Sequence, residues 1–144
     1  MSAKITAERL RQLAQLSPFA GLDEADLVLV DQLVDDIELD PGDVLIREGA
    51  NGSQALVILS GQAGVTIAGR RVATLSAGDI VGRRALLEGG PRTATVTAET
   101  PVRVLVLDPR SFTAARNEST ARSILSAIVG RLRAAGPEDA SHSC

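Results

Sequence analysis

The sequence predicts an α+β domain, mainly β, in which an antiparallel sandwich or jelly roll lies between helical flanks. Three observations predict it. Apolar residues recur at spacings of three and four up to Val34. From Asp36 the pattern changes to short apolar runs punctuated by glycine. Helical spacing returns after Asp108-Pro109.

Each element follows from local chemistry. Residues 4–16 place Ile5, Leu10, Leu13 and Leu16 on one helical stripe, which Ser17-Pro18 stops. A second helix fits 23–34, with Asp23 as its cap and Leu27, Val30, Leu33 and Val34 on one face. In the centre, Pro41-Gly42 and Asn51-Gly52 read as turn dipeptides, and Gly61, Gly64, Gly69 and Gly78 punctuate the runs. Val65-Thr66-Ile67 and Val72-Ala73-Thr74-Leu75 flank Ala68-Gly69-Arg70-Arg71 as a hairpin, its two arginines solvated in the turn. A short strand over 79–81 leads to Gly82 and one and a half turns of helix over 83–87. Thr93 to Ala98 alternates, and VRVLVL over 102–107 is apolar at nearly every position. Asp108-Pro109 then pairs a cap with proline at the first helical position. A last helix over 119–135 carries Ile124, Leu125, Ile128, Val129 and Leu132 on one face and stops at Gly136-Pro137. No internal repeat is present.

Composition excludes several functions. The net charge of −3 argues against a general nucleic-acid surface. With no Trp or Tyr and only Phe19 and Phe112, a base-stacking platform for single strands is missing. No apolar run approaches 18 residues, so no membrane span is expected, and the mixed-charge N-terminus lacks the apolar core of a signal peptide. A cytoplasmic location is the resulting expectation. Cys144 lies in a polar tail and has no internal disulfide partner, and His142 is the only histidine. The His and carboxylate clusters of metal enzymes are therefore not expected, nor is a cofactor, and Asp35-Asp36 reads as a solvated strand edge. No enzyme is expected.

The residues that carry chemistry lie in VGRRALLEGGPRTATV, from Val81 to Val96. The start of a short helix at Gly82-Arg83-Arg84 offers backbone N–H groups to an anion, and glycine admits it closely. Arg92, at the entry to the next strand, can reach back with two N–H donors to one phosphate. The competing reading at this level is a surface arginine in a turn.

SPFAGLDEADL, PGDVLIREGANGSQALVILSG, GDIVG before the short helix and PRTATVTA after it occur in that order and at matched spacing. In these segments the chain resembles the cyclic nucleotide-binding domain family of catabolite activators, protein kinase regulatory subunits and gated channels. The resemblance covers roughly residues 17–135. It implies an eight-stranded antiparallel jelly-roll barrel with flanking helices, and it makes the stretch after Gly82 the phosphate-binding cassette. It also implies that Arg92 holds the cyclic phosphate, helped by backbone N–H groups around Arg84 and Ala85, with Gly82 as the close-approach glycine. Thr93 stands where threonine is associated with contact to a guanine base, although some cyclic AMP binders carry threonine there too.

The chain departs from the family at the ribose contact. Where Phe-Gly-Glu is usual it has Val81-Gly82-Arg83, so arginine stands at the ribose-contacting acid, nine positions before Arg92. Arginine has no acceptor. Losing a charged hydrogen bond costs on the order of 1.5–3 kcal/mol, roughly ten- to hundredfold in affinity. Arg83 either attracts the phosphate, or repels Arg92 and reshapes the pocket, or selects a different anion. The expected ligand site is thus Gly82, Arg83, Arg84, Ala85, Arg92 and Thr93, for cAMP or cGMP.

The expected role is a regulatory sensor in which the ligand moves the C-terminal helix. The alternative is a degenerate member that binds no nucleotide and serves as a protein-interaction module. The apolar face of 119–135 could serve a homodimer or an effector protein. The expected organisation is one domain over 1–136, with helices in 4–34, a β-roll over 35–108 and helices in 109–135, then a flexible tail over 137–144. The sequence ends about ten residues past Leu132, so no DNA-reading helix-turn-helix is expected.

Overall fold

A computed structural model describes residues 6–114 and 118–134. Ile5, the Gly136-Pro137 stop, His142 and Cys144 lie outside the described residues, as does the expected tail.

Helix α1 (Ala7–Gln15) is capped by Thr6, whose hydroxyl accepts the Arg9 N–H at 3.0 Å. The helix ends where Ser17-Pro18 led one to expect, and a 3₁₀ turn over Ser17–Phe19 follows. Helix α2 (Glu24–Leu33) is capped by Asp23, which accepts the Asp26 N–H at 2.8 Å. The strands are β1 (Asp35–Leu39), β2 (Val44–Ile46), β3 (Ala55–Ser60), β4 (Ala63–Ile67), β5 (Arg70–Leu75), β6 (Ile80–Val81), β7 (Thr95–Ala98) and β8 (Val102–Leu107). Helix α3 (Arg83–Glu88) separates β6 from β7, and α4 (Pro109–Thr113) and α5 (Glu118–Ala134) close the chain.

The eight strands form two four-stranded antiparallel sheets, ordered β1-β8-β3-β6 and β2-β7-β4-β5. The pairing is nested, β1 with β8, β2 with β7, β3 with β6 and β4 with β5, consistent with a jelly roll. Hydrogen bonding does not close them into the single barrel expected from the resemblance. Each sheet keeps two edges, so the closure is made by side chains packing between the sheets.

Two hydrophobic clusters share strands β3 and β8. Leu56, Ile58, Val104 and Val106 face the inter-sheet core with Val65 and Val96. Ala55, Val57, Leu105 and Leu107 face the other way, toward Phe19, Phe112 and the helices. Both faces of these strands are covered, which is why they read as nearly continuous apolar runs rather than alternating ones. Ile124, Ile128 and Leu132 of α5 lie in the helical cluster, while Leu125 and Val129 stay half-buried on its shoulder.

Two turns differ from expectation. The β4–β5 hairpin has a two-residue loop, Ala68-Gly69, with Ala68 at φ 51°, so Arg70 and Arg71 belong to β5. Arg71 is not simply solvated but grips Glu99 with both ends of its guanidinium and bonds Thr74 at 2.6 Å. Asn51-Gly52 is not a turn either. A local turn lies instead at Glu48-Gly49, where the Ala50 N–H bonds the Arg47 carbonyl at 3.1 Å, and the chain keeps its direction through it, so that residues 49–52 continue beside 92–90 the pairing of β2 with β7. Asp35 and Asp36 do lie on edge strand β1, with Asp36 paired to Arg103 at 2.7 Å and Arg9 at 3.0 Å.

Phe112 is fully buried where α4 meets the sheet. Phe112→Ala should cost about 3–5 kcal/mol, measured by urea unfolding. A loss under about 1 kcal/mol would show that α4 does not pack as described.

Candidate anion-binding cleft

The cleft is set by one pairing between two loops. The Arg92 N–H bonds the Ala50 carbonyl at 2.8 Å, and the Gly49 N–H bonds the Arg92 carbonyl at 2.9 Å. Asn51 and Pro91 form a bridge beside them. The backbone of Arg92 is therefore held on both sides before β7 begins, and its side chain is aimed inward.

There the guanidinium occupies space that only glycine leaves open. A Cβ on Gly52 would stand 2.8 Å from both Nε and Nη2 of Arg92. A Cβ on Gly82 would stand 2.8 Å from its Nη1 and 2.7 Å from the Gln54 carbonyl oxygen. Gly82 also caps α3 at φ 87°, a conformation other residues adopt at a cost. Arg92 is only 8% exposed, and among the described residues it is the only buried charged side chain. It forms part of a cleft of about 580 Å³, a size ordinary for small-molecule sites.

The cleft wall opposite is organised by Asp108, the cap of α4. Its carboxylate accepts Arg110 Nε at 3.1 Å and Nη2 at 2.8 Å, and Gln54 Nε2 at 3.0 Å. Gln54 and Arg110 both line the cleft, so one carboxylate positions two of its walls. The Arg110 guanidinium, helped by the Gln54 amide, holds the Asp108 carboxyl well below its ordinary value of 3.8.

The six residues expected from sequence are placed differently from one another. Arg92 lines the cleft, and Gly82 packs against its guanidinium. Arg83 turns away: its Nη1 donates to the Leu132 carbonyl at 3.2 Å. That oxygen is in the last turn of α5, where carbonyls lack intrahelical partners and a cation is favoured. Arg84 is exposed and 3.6 Å from Glu88. Ala85 is buried, its carbonyl accepting the Gly89 N–H at 2.7 Å. Thr93 is exposed and does not line the cleft. Sequence reasoning missed Arg47, Gly52, Gln54 and Arg110 as cleft residues. The one available signal was Gly52, read there as half of a turn.

A family model described as "Cyclic nucleotide-binding domain" matches residues 36–119, more than half of the chain. The chain belongs to the cyclic nucleotide-binding domain family. Among curated relatives, a cGMP-dependent protein kinase of Toxoplasma gondii is 36% identical over 99 residues, covering 69% of this chain and 10% of the kinase. The regulatory subunit of a cAMP-independent protein kinase A from Trypanosoma brucei superposes with a TM-score of 0.72 at 25% identity, over 87% of this chain and 44% of that one. A cAMP-binding acyltransferase from Mycobacterium smegmatis gives 0.61 at 30% identity, over 85% of this chain and 41% of that one. The chain thus spans about a tenth of the kinase relative's length. In family terms the domain is a regulatory part rather than a catalytic one. Among the described residues there is no cluster of metal-ligating side chains, and no helix is long and apolar enough to cross a membrane.

Two outcomes are expected. Arg83→Met keeps an apolar stem but removes the donor to Leu132, which should cost about 0.5–1.5 kcal/mol and speed amide exchange in the last turn of α5; unchanged exchange would remove the tether. A carboxyl depressed in the folded state stabilises above its unfolded value of 3.8 and loses that contribution as pH falls further. Asp108→Asn should therefore lower Tm at neutral pH and flatten the decline below about pH 4. A decline as steep as in the parent protein would mean that other carboxylates cause it.

Proposed function

We propose that this chain is a regulatory sensor domain for a cyclic nucleotide, cAMP or cGMP, that seats the cyclic phosphate on Arg92. The observation that carries the proposal is the guanidinium held between Gly52 and Gly82 in the floor of the cleft. An anion seated beside that guanidinium would meet it with charge-assisted hydrogen bonds. Gly82 would admit the ligand closely, and the N–H groups around Arg84 and Ala85 would assist. Thr93 follows Arg92 directly but lies outside the cleft lining, so it would meet the base only of a ligand that extends past the cleft. The kinship with a cGMP-dependent kinase and a cAMP-binding acyltransferase supports both nucleotides as candidates.

Coupling to an output runs through Arg83. It joins α3, which adjoins the phosphate site, to the end of α5. A ligand that shifts α3 would strain or release that bond and so bias the position of α5. The domain covers residues 1–136, and its effector or partner subunit would contact the α5 shoulder at Leu125 and Val129.

A second reading also has an observation behind it. The side chain at the ribose-contact position serves α5 and offers no acceptor, and the Trypanosoma brucei relative is described as cAMP-independent. On that reading the fold is kept as an interaction module without a nucleotide.

Equilibrium dialysis against cAMP and cGMP, read at 260 nm, separates the two. The protein has no Trp or Tyr and absorbs little there. Saturable micromolar binding that is lost in Arg92→Ala is the expected result. Binding that survives Arg92→Ala would remove the phosphate role, and no binding to millimolar concentration would leave the interaction module.

A further inference from the structure

Three guanidinium groups border the cleft, with Arg92 in its floor and Arg47 and Arg110 at its rim, and its lining contains no carboxylate and no aromatic ring. Three acids close in sequence to lining residues have partners of their own. Glu48 accepts the Ala68 N–H at 3.0 Å on the β4–β5 loop. Glu88 lies beside Arg84 on the exposed side of α3. Asp108 is engaged by Arg110 and Gln54, so the charge on Arg110 is answered locally. Arg47 differs from these. It is exposed, lines the cleft, and its guanidinium has no hydrogen bond or ion pair among the described residues.

The positions of Arg47 and Arg92 are related by strand pairing. Ile46 lies opposite Val96, and Gly49 bonds Arg92, so Arg47 stands two or three residue steps from Arg92 along the paired segments. The turn that returns the Ala50 N–H to the Arg47 carbonyl keeps Arg47 beside that pair, and both arginines line the one cleft, so two long side chains can converge on one ligand. One phosphodiester carries one charge and would be met by Arg92. The cation at the rim is then left facing the same ligand. With no ring in the lining to stack a base, charge pairs carry a larger share of the affinity than in an aromatic pocket.

We infer that the cleft takes a nucleotide with two phosphate groups, one seated on Arg92 and the second reaching Arg47. The inference rests on Arg92 being the phosphate site, and it narrows the ligand class of that site. Asn51, Ser53 and Gln54 share the lining with the two cations and would supply donors and acceptors for sugar and base edges. The second contact is at an exposed rim, so its contribution weakens as salt rises.

Calorimetric titration of the full chain at low salt tests this with two classes of probe. One class is cAMP and cGMP; the other is cyclic di-GMP, cyclic di-AMP and adenosine 3′,5′-bisphosphate. At least one two-phosphate probe should bind on the order of tenfold tighter than either cyclic mononucleotide. The dinucleotide and mononucleoside arms show whether the second phosphate sits within a ring or at a free end. Arg47→Gln, with its fold verified by thermal melting, should weaken that probe about tenfold and bring the two classes level. Arg92→Ala should abolish binding of both. Mononucleotides binding as tightly as every two-phosphate probe, or a preference that survives Arg47→Gln, would overturn the inference and leave the Arg92 site standing. If no probe binds the parent protein, both fail together.

Discussion

The cleft depends on the burial of one guanidinium. A charged side chain 8% exposed must be hydrogen-bonded and sterically accommodated, or the cost of leaving water would expel it. Arg92 is accommodated by two glycines from separate parts of the chain, Gly52 before β3 and Gly82 after β6. Its backbone is held by residues 49 and 50 through both of its hydrogen-bonding groups. Any side chain at either glycine would occupy the space of the guanidinium. The loops on both sides of the cleft are shaped by that constraint.

The rest of the fold delivers those loops to one place. Strands β3 and β8 are buried on both faces and carry the helices on one side and the second sheet on the other. The chain enters β3 from the Gly52 side of the cleft and leaves β8 at Asp108, whose carboxylate ties Gln54 to Arg110. Packing that reads as simple core in the sequence therefore sets the distance between the cleft walls. The same helical cluster takes up the buried face of α5, leaving only its shoulder for other contacts.

Arg83 ties the short helix after Gly82 to the end of α5. At the place where a carboxylate would face the ligand, the chain has a cation that faces the end of a helix. The exchange is chemically consistent, since a guanidinium is a poor partner for a ribose hydroxyl needing an acceptor and a good one for helix carbonyls. It adds one connection between α3 and α5. What the cleft has is positive charge at the floor and rim, from Arg92, Arg47 and Arg110.

By itself, the sequence determined the elements whose causes are local. Asp23 and Asp108 cap the helices they precede, Ser17-Pro18 ends α1, and the apolar runs of β3 and β8 mark strands buried on both faces. Arg92 and Gly82 were legible because a glycine, a short helix and an arginine lie within one continuous stretch. Other features were decided only by the tertiary structure. Asn51-Gly52 has the composition of a turn, yet its role is to leave room for a side chain forty residues away. Arg83 is indistinguishable from a ligand contact until α5 supplies a carbonyl for it. Arg47 and Arg110 become cleft residues only when the loop before β3 and the start of α4 are brought together. Caps and periodicity depend on neighbours a few residues apart, whereas the direction of a long cationic side chain depends on which distant acceptor or void the folded chain places within its reach.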